Sequence, residues 1–299
     1  MKRISMFTLF ISISWTIFSN ILAAEEGDRL TAKFSDPKKP GTIEVSLLNG
    51  GISVEGYNGQ EVIVDAIPRL KNINEDLLWN NFPFNGEDYP DLLRNNKNKP
   101  KKNTEGMKKL TFQSTGLSLE EEDNIMEISV DSWKLTVDLK IKVPMNTSIH
   151  LNCVNAGNIE VKNVSGEIDV DNKNGSVTLT DVSGSVVAHS LNKDLLVTFD
   201  KVSPEKAMSF STLNGDIDVT FPSNIKANVE MKSNNGEIFT DFDIKLQENP
   251  RKVVEENKDK RGGKYHVRIE KTLYGTINGG GPEIQFTSFN GDILIRKAK

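Results

Sequence analysis

Gly157, Gly166, Gly175 and Gly184 stand nine residues apart, and each opens the same short phrase. Two residues on come Ile159, Ile168, Val177 and Val186; four residues on come Val161, Val170, Leu179 and Ala188. A nine-residue unit of Gly-x-apolar-x-apolar is too short for a helical repeat and alternates with the period of a strand. The chain is therefore expected to wind short strands around an apolar axis. The fold class that follows is all-β: a single-chain β-solenoid, β-helix-like, with polar excursions.

The corners come in two kinds. One reads Val164-Ser165-Gly166, Val182-Ser183-Gly184 and Val202-Ser203-Pro204; the other reads Asn155-Ala156-Gly157, Asn174-Gly175, Asn192-Lys193, Asn214-Gly215 and Asn235-Gly236. Each kind recurs every 18–22 residues, so one coil holds two strands and two distinct corners. Asn and Gly accept positive φ, which is the expected reason for both at these sites. Stacked coils would place Asn174, Asn192, Asn214 and Asn235 in a column of hydrogen-bonded amides. Lys193 and Pro204 replace corner glycines, so the coil should be irregular between them.

Alternation assigns Ile159, Val161, Ile168, Val170, Val177 and Leu179 to the axis, with Val186, Ile217, Val219 and Ile238 beside them. Glu160, Glu167, Asp169, Thr178, Asp216 and Asp218 face solvent. The pattern begins before this block, in Gly41–Val45, Ile52–Val54, Val62–Ala66, Ile125–Val130 and Leu135–Val143, and returns after it from Gly275 to Ile295.

Residues 1–24 have a basic start, an apolar stretch and small residues before Glu25-Glu26, as in a secretory signal peptide. The remainder, 25–299, is expected to be one solenoid domain with excursions at 70–109 and 245–264. A short helix near Glu75–Asn80 is a weaker expectation. After signal cleavage no membrane span is expected, and the address is the periplasm, cell surface or medium. With net charge −5, the chain lacks the basic surplus of nucleic-acid binders. The lone Cys153 cannot form an internal disulfide and reads as a buried, inert thiol.

Several strings resemble the exported bacterial family known as DUF4097, the adhesin-like family: Val137–Pro144, Asn214–Pro222, Asn278–Ile284 with its Gly-Gly-Gly-Pro, and Asn290–Ile293. The resemblance covers roughly Gly41 to Lys297. It implies a β-solenoid and a non-enzymatic exported protein, and it supplies no catalytic residues.

Candidate chemistry is sparse. Asp169 with Asp171, and Asp216 with Asp218, are same-face carboxylate pairs that an acid–base enzyme or a Ca²⁺ site would need. A solvated strand face is the more economical reading. His150, His189 and His266 have no metal-ligand spacing, and no nucleophile elbow accompanies the serines. Gly279–Pro282 lacks the lysine and helix of a phosphate loop and reads as a corner. No catalytic residue, metal or cofactor is expected. Trp79, Phe82, Phe84 and Tyr89 crowd a polar excursion; they either cap an open end of the coil or dock a sugar or partner. Lys97, Lys99, Lys101, Lys102, Lys108 and Lys109 belong to a solvated loop or face an anionic envelope surface. The expected partner is an envelope protein or glycan. The alternatives are a polysaccharide-active β-helix enzyme using outer-face carboxylates and an accessory module of an envelope-stress system.

Overall fold

The computed structural model describes residues 27–69, 114–131, 135–247, 253–256, 266–269 and 272–299, the two short segments 253–256 and 266–269 by their backbone alone. The first strands are β1 (Asp28–Lys33), β2 (Thr42–Asn49), β3 (Ile52–Tyr57), β4 (Glu61–Pro68), β5 (Leu117–Glu122), β6 (Ile125–Val130) and β7 (Val137–Pro144). The regular coil follows in β8 (Ser148–Asn155), β9 (Ile159–Lys162), β10 (Glu167–Asn172), β11 (Val177–Ser190), β12 (Leu195–Val202), β13 (Met208–Asn214) and β14 (Ile217–Phe221). The chain ends with β15 (Ala227–Ser233), β16 (Ile238–Thr240), β17 (Ile244–Leu246), β18 (Val253–Glu256), β19 (His266–Ile269), β20 (Leu273–Ile277), β21 (Glu283–Asn290) and β22 (Ile293–Lys297).

Two sheets of parallel strands face each other, and the chain crosses between them at every corner. Sheet I runs β5, β6, β2, β8, β10, the second half of β11, β13, β21, β15, β20, β17. Sheet II runs β1, β4, β7, β3, β9, the first half of β11, β12, β14, β22, β16. Each coil contributes one strand to each sheet, which makes the fold the expected solenoid. At about 4.8 Å per strand step, the parallel coils from β6/β7 to β15/β16 form a rod on the order of 35 Å long. Antiparallel strands finish both ends: β1, β4 and β5 at one, β20 and β17 at the other.

Coil order in space departs from coil order in sequence. The terminal pair β21/β22 inserts between β13/β14 and β15/β16. Likewise β2/β3 inserts between β6/β7 and β8/β9. The asparagine column therefore runs Asn155, Asn174, Asn192, Asn214, Asn290, Asn235. Each amide Nδ2 donates to the Oδ1 of its neighbour at 2.8–3.0 Å, with Asn290 interposed between Asn214 and Asn235.

The axis is filled as alternation requires: Ile159, Val161, Ile168, Val170, Val177, Leu179, Val186, Ile217 and Val219 are all buried. Ile238, in the last coil, is only half-buried. Four phenylalanines thicken the core where the coil widens. Phe199 stacks on Phe221 (5.1 Å between centroids) and Phe210 on Phe286 (5.3 Å), and the two stacks meet edge to face at 6.3 Å.

The glycines need a different explanation from the expected one. At Gly175 φ is not positive; an added Cβ would instead lie 1.8 Å from the Gly157 carbonyl oxygen of the coil below. Close stacking of corners, not backbone handedness, excludes a side chain there. Positive φ is instead the reason for glycine at Gly184 (φ +108) and at Gly50 (φ +135). Gly175→Ala should destabilise the protein by about 1–3 kcal/mol, the usual cost of overpacking; an unchanged urea midpoint would refute the close-contact account.

Just inside the asparagine corners runs a second column that alternation alone would call apolar: Cys153, Asn172, Ser190, Thr212, Ser288 and Ser233. Their side chains satisfy corner carbonyls. Asn172 Nδ2 donates to Gly157 O (3.1 Å), Ser190 Oγ to Gly175 O (3.2 Å) and Lys193 O (2.7 Å), and Thr212 Oγ1 to Lys193 O (3.2 Å). Ser288 Oγ donates to Gly215 O (3.3 Å) and Ser233 Oγ to Gly291 O (3.0 Å). Cys153 is buried, and its Sγ takes the same place against Gly50 O at 3.0 Å. Burial pushes the thiol pKa up to about 11, so it stays protonated and unreactive near neutral pH.

The coil is regular at Lys193 itself, whose carbonyl accepts the Ser190 and Thr212 hydroxyls. The irregularity expected between Lys193 and Pro204 is present further along β12, where register against β11 shifts between Val197 and Lys201, and Pro204 diverts the chain before β13.

The second excursion starts later than expected. Lys245 and Leu246 still pair with β20 in β17, and β18, inside the segment, pairs antiparallel with β19, just past its expected end at 264. Residues 1–24, the short helix expected at 75–80 and the lysine-rich stretch from Lys97 to Lys109 lie outside the described residues.

Candidate functional site

The rod has two corner edges, and they differ in what they leave open. Along the asparagine edge the polar groups are used up by one another. Beside the amide column, the carboxylate Oδ1 atoms of Asp194, Asp216 and Asp292 accept the backbone N–H of Asp216, Asp292 and Glu237 in the next coil, each at 2.8–2.9 Å. The nearest equivalents in earlier coils are Asn158, which accepts from Ser176 N–H, and Asp138, which accepts from Gly51 N–H. At Asp138 burial alone would raise the pKa. The Arg69 guanidinium at 2.6–2.7 Å and the Gly51 N–H outweigh it and hold the carboxyl below its ordinary value.

The expected carboxylate pairs do not converge. Asp169 and Asp171 lie on the outer face of sheet I, Asp216 and Asp218 at the edge and outer face of sheet II. Asp218 pairs with Arg296 (2.7 Å), and Asp216 belongs to the column just described. Asp169 stands 3.6 Å from His150. Register also aligns Asp171, His189 and Ser211 in successive coils, an arrangement invisible in the sequence because it depends on which strands pair. His189 Nδ1 and Ser211 Oγ are 2.8 Å apart, but Asp171 Oδ2 is held by Lys173 Nζ at 2.5 Å rather than by the imidazole. A nucleophile–base pair without an orienting carboxylate, on an open sheet face, lacks the geometry of a relay. Among the described residues no group of three or more His, Cys, Asp or Glu is placed to hold a metal ion.

The Val-Ser edge is where the surface opens. Its first corners stack tightly: Ser165 N–H donates to Met145 O (2.7 Å), Ser183 N–H to Val164 O (2.8 Å) and Ser203 N–H to Gly184 O (2.9 Å). Then Pro204 adds length before β13, Pro222 turns the chain before β15, and Gly279–Pro282 brings it into the inserted β21. These three loops diverge around a cavity of about 540 Å³. That is within the range of small-ligand sites.

Its floor is Met208, Ile225 and Ile284, each buried, with Pro222 and Pro282 alongside. Its rim carries Lys201, Lys206 and Lys226, whereas among the described residues Asp200 is the only lining carboxylate. Lys206 reaches back to Glu167. No described carboxylate pairs with Lys201 or Lys226. One wall is bare backbone: a Cβ on Gly281 would lie 2.3 Å from Lys226 O, so only glycine fits against that loop.

The aromatic cluster Trp79, Phe82, Phe84 and Tyr89 lies outside the described residues. The cavity itself was not legible in advance. Its signals, Pro204 in place of glycine and the run Gly279–Pro282, read as corner irregularities until the insertion of β21 brings them together.

A family profile described as Toastrack DUF4097 matches residues 146–295, which span β8 to β22 apart from Arg296 and Lys297. Among solved structures, the chain is similar to a candidate cell-adhesion protein from Clostridium sporogenes, at 10% identity and TM-score 0.40, over 91% of this chain and 100% of that one. It is also similar to a candidate adhesin from Bacteroides fragilis, at 12% identity and TM-score 0.36, over 92% of this chain and 98% of that one. No curated protein matches the chain.

Proposed function

Because the chain belongs to the Toastrack DUF4097 family, we propose that it is an exported, non-enzymatic β-solenoid serving as an adhesin or as a binding or scaffold protein of the bacterial cell envelope. The observation that carries this reading is the division of labour between the two edges. Carboxylates that chemistry would require are tied into backbone hydrogen bonds or ion pairs along the rod. The open concave surface, by contrast, is lined by apolar side chains and ammonium groups without a paired acid and base. Such a surface binds and does not turn over. The sequence of residues 1–24 supports export, and no helix among the described residues is long and apolar enough to cross a membrane.

The test uses the chain from residue 25 to 299 on fractionated envelope material and arrayed glycans. Saturable capture with the glycan recovered intact is the expected result. Release of shortened sugar chains, abolished by Asp169→Asn, Asp216→Asn or His189→Ala, would establish the rival polysaccharide-active enzyme instead.

A further inference from the structure

We propose that the cavity at the Val-Ser edge is a binding site for an acidic oligosaccharide, a ligand class that rests on the binding reading above and sharpens it. Three features of the cavity select this chemistry. First, the cavity presents lysines. Among the described residues three ammonium groups and one carboxylate line it. Lys206 is engaged by Glu167, and Glu205 and Glu283 lie on the same loops outside the lining. Lys201 and Lys226, with which no described carboxylate pairs, are left to hold an anion by direct ion pairing.

Second, the floor is apolar. Met208, Ile225 and Ile284 close it from below, and the half-buried rings of Pro222 and Pro282 offer apolar surface on which the C–H face of a sugar ring can lie. A bare inorganic anion gains nothing from such a floor. Third, Lys201, Pro204, Lys206, Asn224 and Lys226 are exposed, so the site is open along its rim and admits a segment of a longer chain. The charged group on the sugar is a carboxylate or a phosphate, since lysine, a compact point charge, pairs with either.

The experiment is calorimetric titration of the chain with trigalacturonate, with maltotriose as the neutral counterpart, inorganic phosphate as the bare anion and phosphatidylglycerol vesicles as an anionic lipid surface. Trigalacturonate should bind, maltotriose should not, and the affinity should fall as salt rises. A sugar phosphate of equal length would show whether phosphate substitutes for carboxylate. Lys201→Ala combined with Lys226→Ala should weaken trigalacturonate by about tenfold or more, the worth of charge-assisted hydrogen bonds. Lys193→Ala, on the opposite edge, should leave it unchanged. Both lysines of the double variant are exposed, so its urea midpoint should match the parent.

Equal binding of maltotriose, undiminished binding by the double variant, or binding of phosphate or vesicles without trigalacturonate would overturn the assignment. If the double variant still captures envelope material as the parent does, the site assignment falls and the general binding function stands. If the parent captures nothing, the general function falls first.

Discussion

A chain ending at Pro282 should fail to fold, although it loses only the last 17 residues. In a coil stacked in sequence order, such a truncation would shorten one end and spare the rest. Here it removes β21 and β22 from the interior of both sheets, each from between two paired strands. Four buried apolar side chains go with them: Ile284, Phe286, Ile293 and Ile295. At about 1.5–3 kcal/mol each, their loss is on the order of 6–12 kcal/mol, comparable to the whole stability of a typical domain. The strands β13, β14, β15 and β16 would also lose their pairing partners, as would Asn214 and Asn235 in the amide column. Limited proteolysis and circular dichroism of chains 25–282 and 25–299 make the comparison. A truncated chain with a protease-resistant core and the parent's melting temperature would show that the inserted coil is dispensable.

Phe210→Ala should be the most damaging single core substitution, at about 3–5 kcal/mol. Phe210 is fully buried and touches three other rings: stacked on Phe286 and edge-on to both Phe199 and Phe221. Its removal leaves a hole bounded by rigid aromatic faces in two sheets, which cannot collapse without moving several strands. Denaturant titration, with the slope checked for constancy, gives the number. A loss below about 1 kcal/mol would mean that the surrounding coils relax freely and that this part of the axis is loosely packed.

Much of this architecture was readable from one sequence because a solenoid repeats its instructions. The nine-residue spacing from Gly157 to Gly184 marks the corners, and the alternation after each glycine separates Ile168 and Val170 from Glu167 and Asp169. Asn174, Asn192 and Asn214 stack as that spacing requires.

Two things escaped, for different reasons. The inner column was written plainly as a short residue two places before each corner asparagine: Cys153, Asn172, Ser190, Thr212, Ser233 and Ser288. A binary apolar–polar reading discards it, because these small polar side chains are buried where the rule expects hydrocarbon. The same column explains why a lone cysteine is tolerated there, since a thiol can stand where its neighbours place a hydroxyl or an amide. The order of coils was not written at all. Asn290-Gly-Asp-Ile293 is as compatible with the end of the rod as with its interior, and only the pairings of β21 and β22 decide. The open edge depends on that order, because Lys201, Lys226 and Pro282 meet only when β21 returns between coils made earlier.

The return of the final strands also sets a timetable. Chains that coil in sequence can lock each turn onto the last as it leaves the ribosome. In this protein the slot between β14 and β16 stays vacant until residue 297 has been delivered. Near the start the order is reversed: β2 is made first and waits just over a hundred residues, from Thr42 to its partner Ser148, before β8 covers that edge. Closing such distant contacts is slow, so an unfinished copy exposes raw strand edges at two points along its length. Arrival of β22, rather than gradual growth from one end, is what seals the molecule.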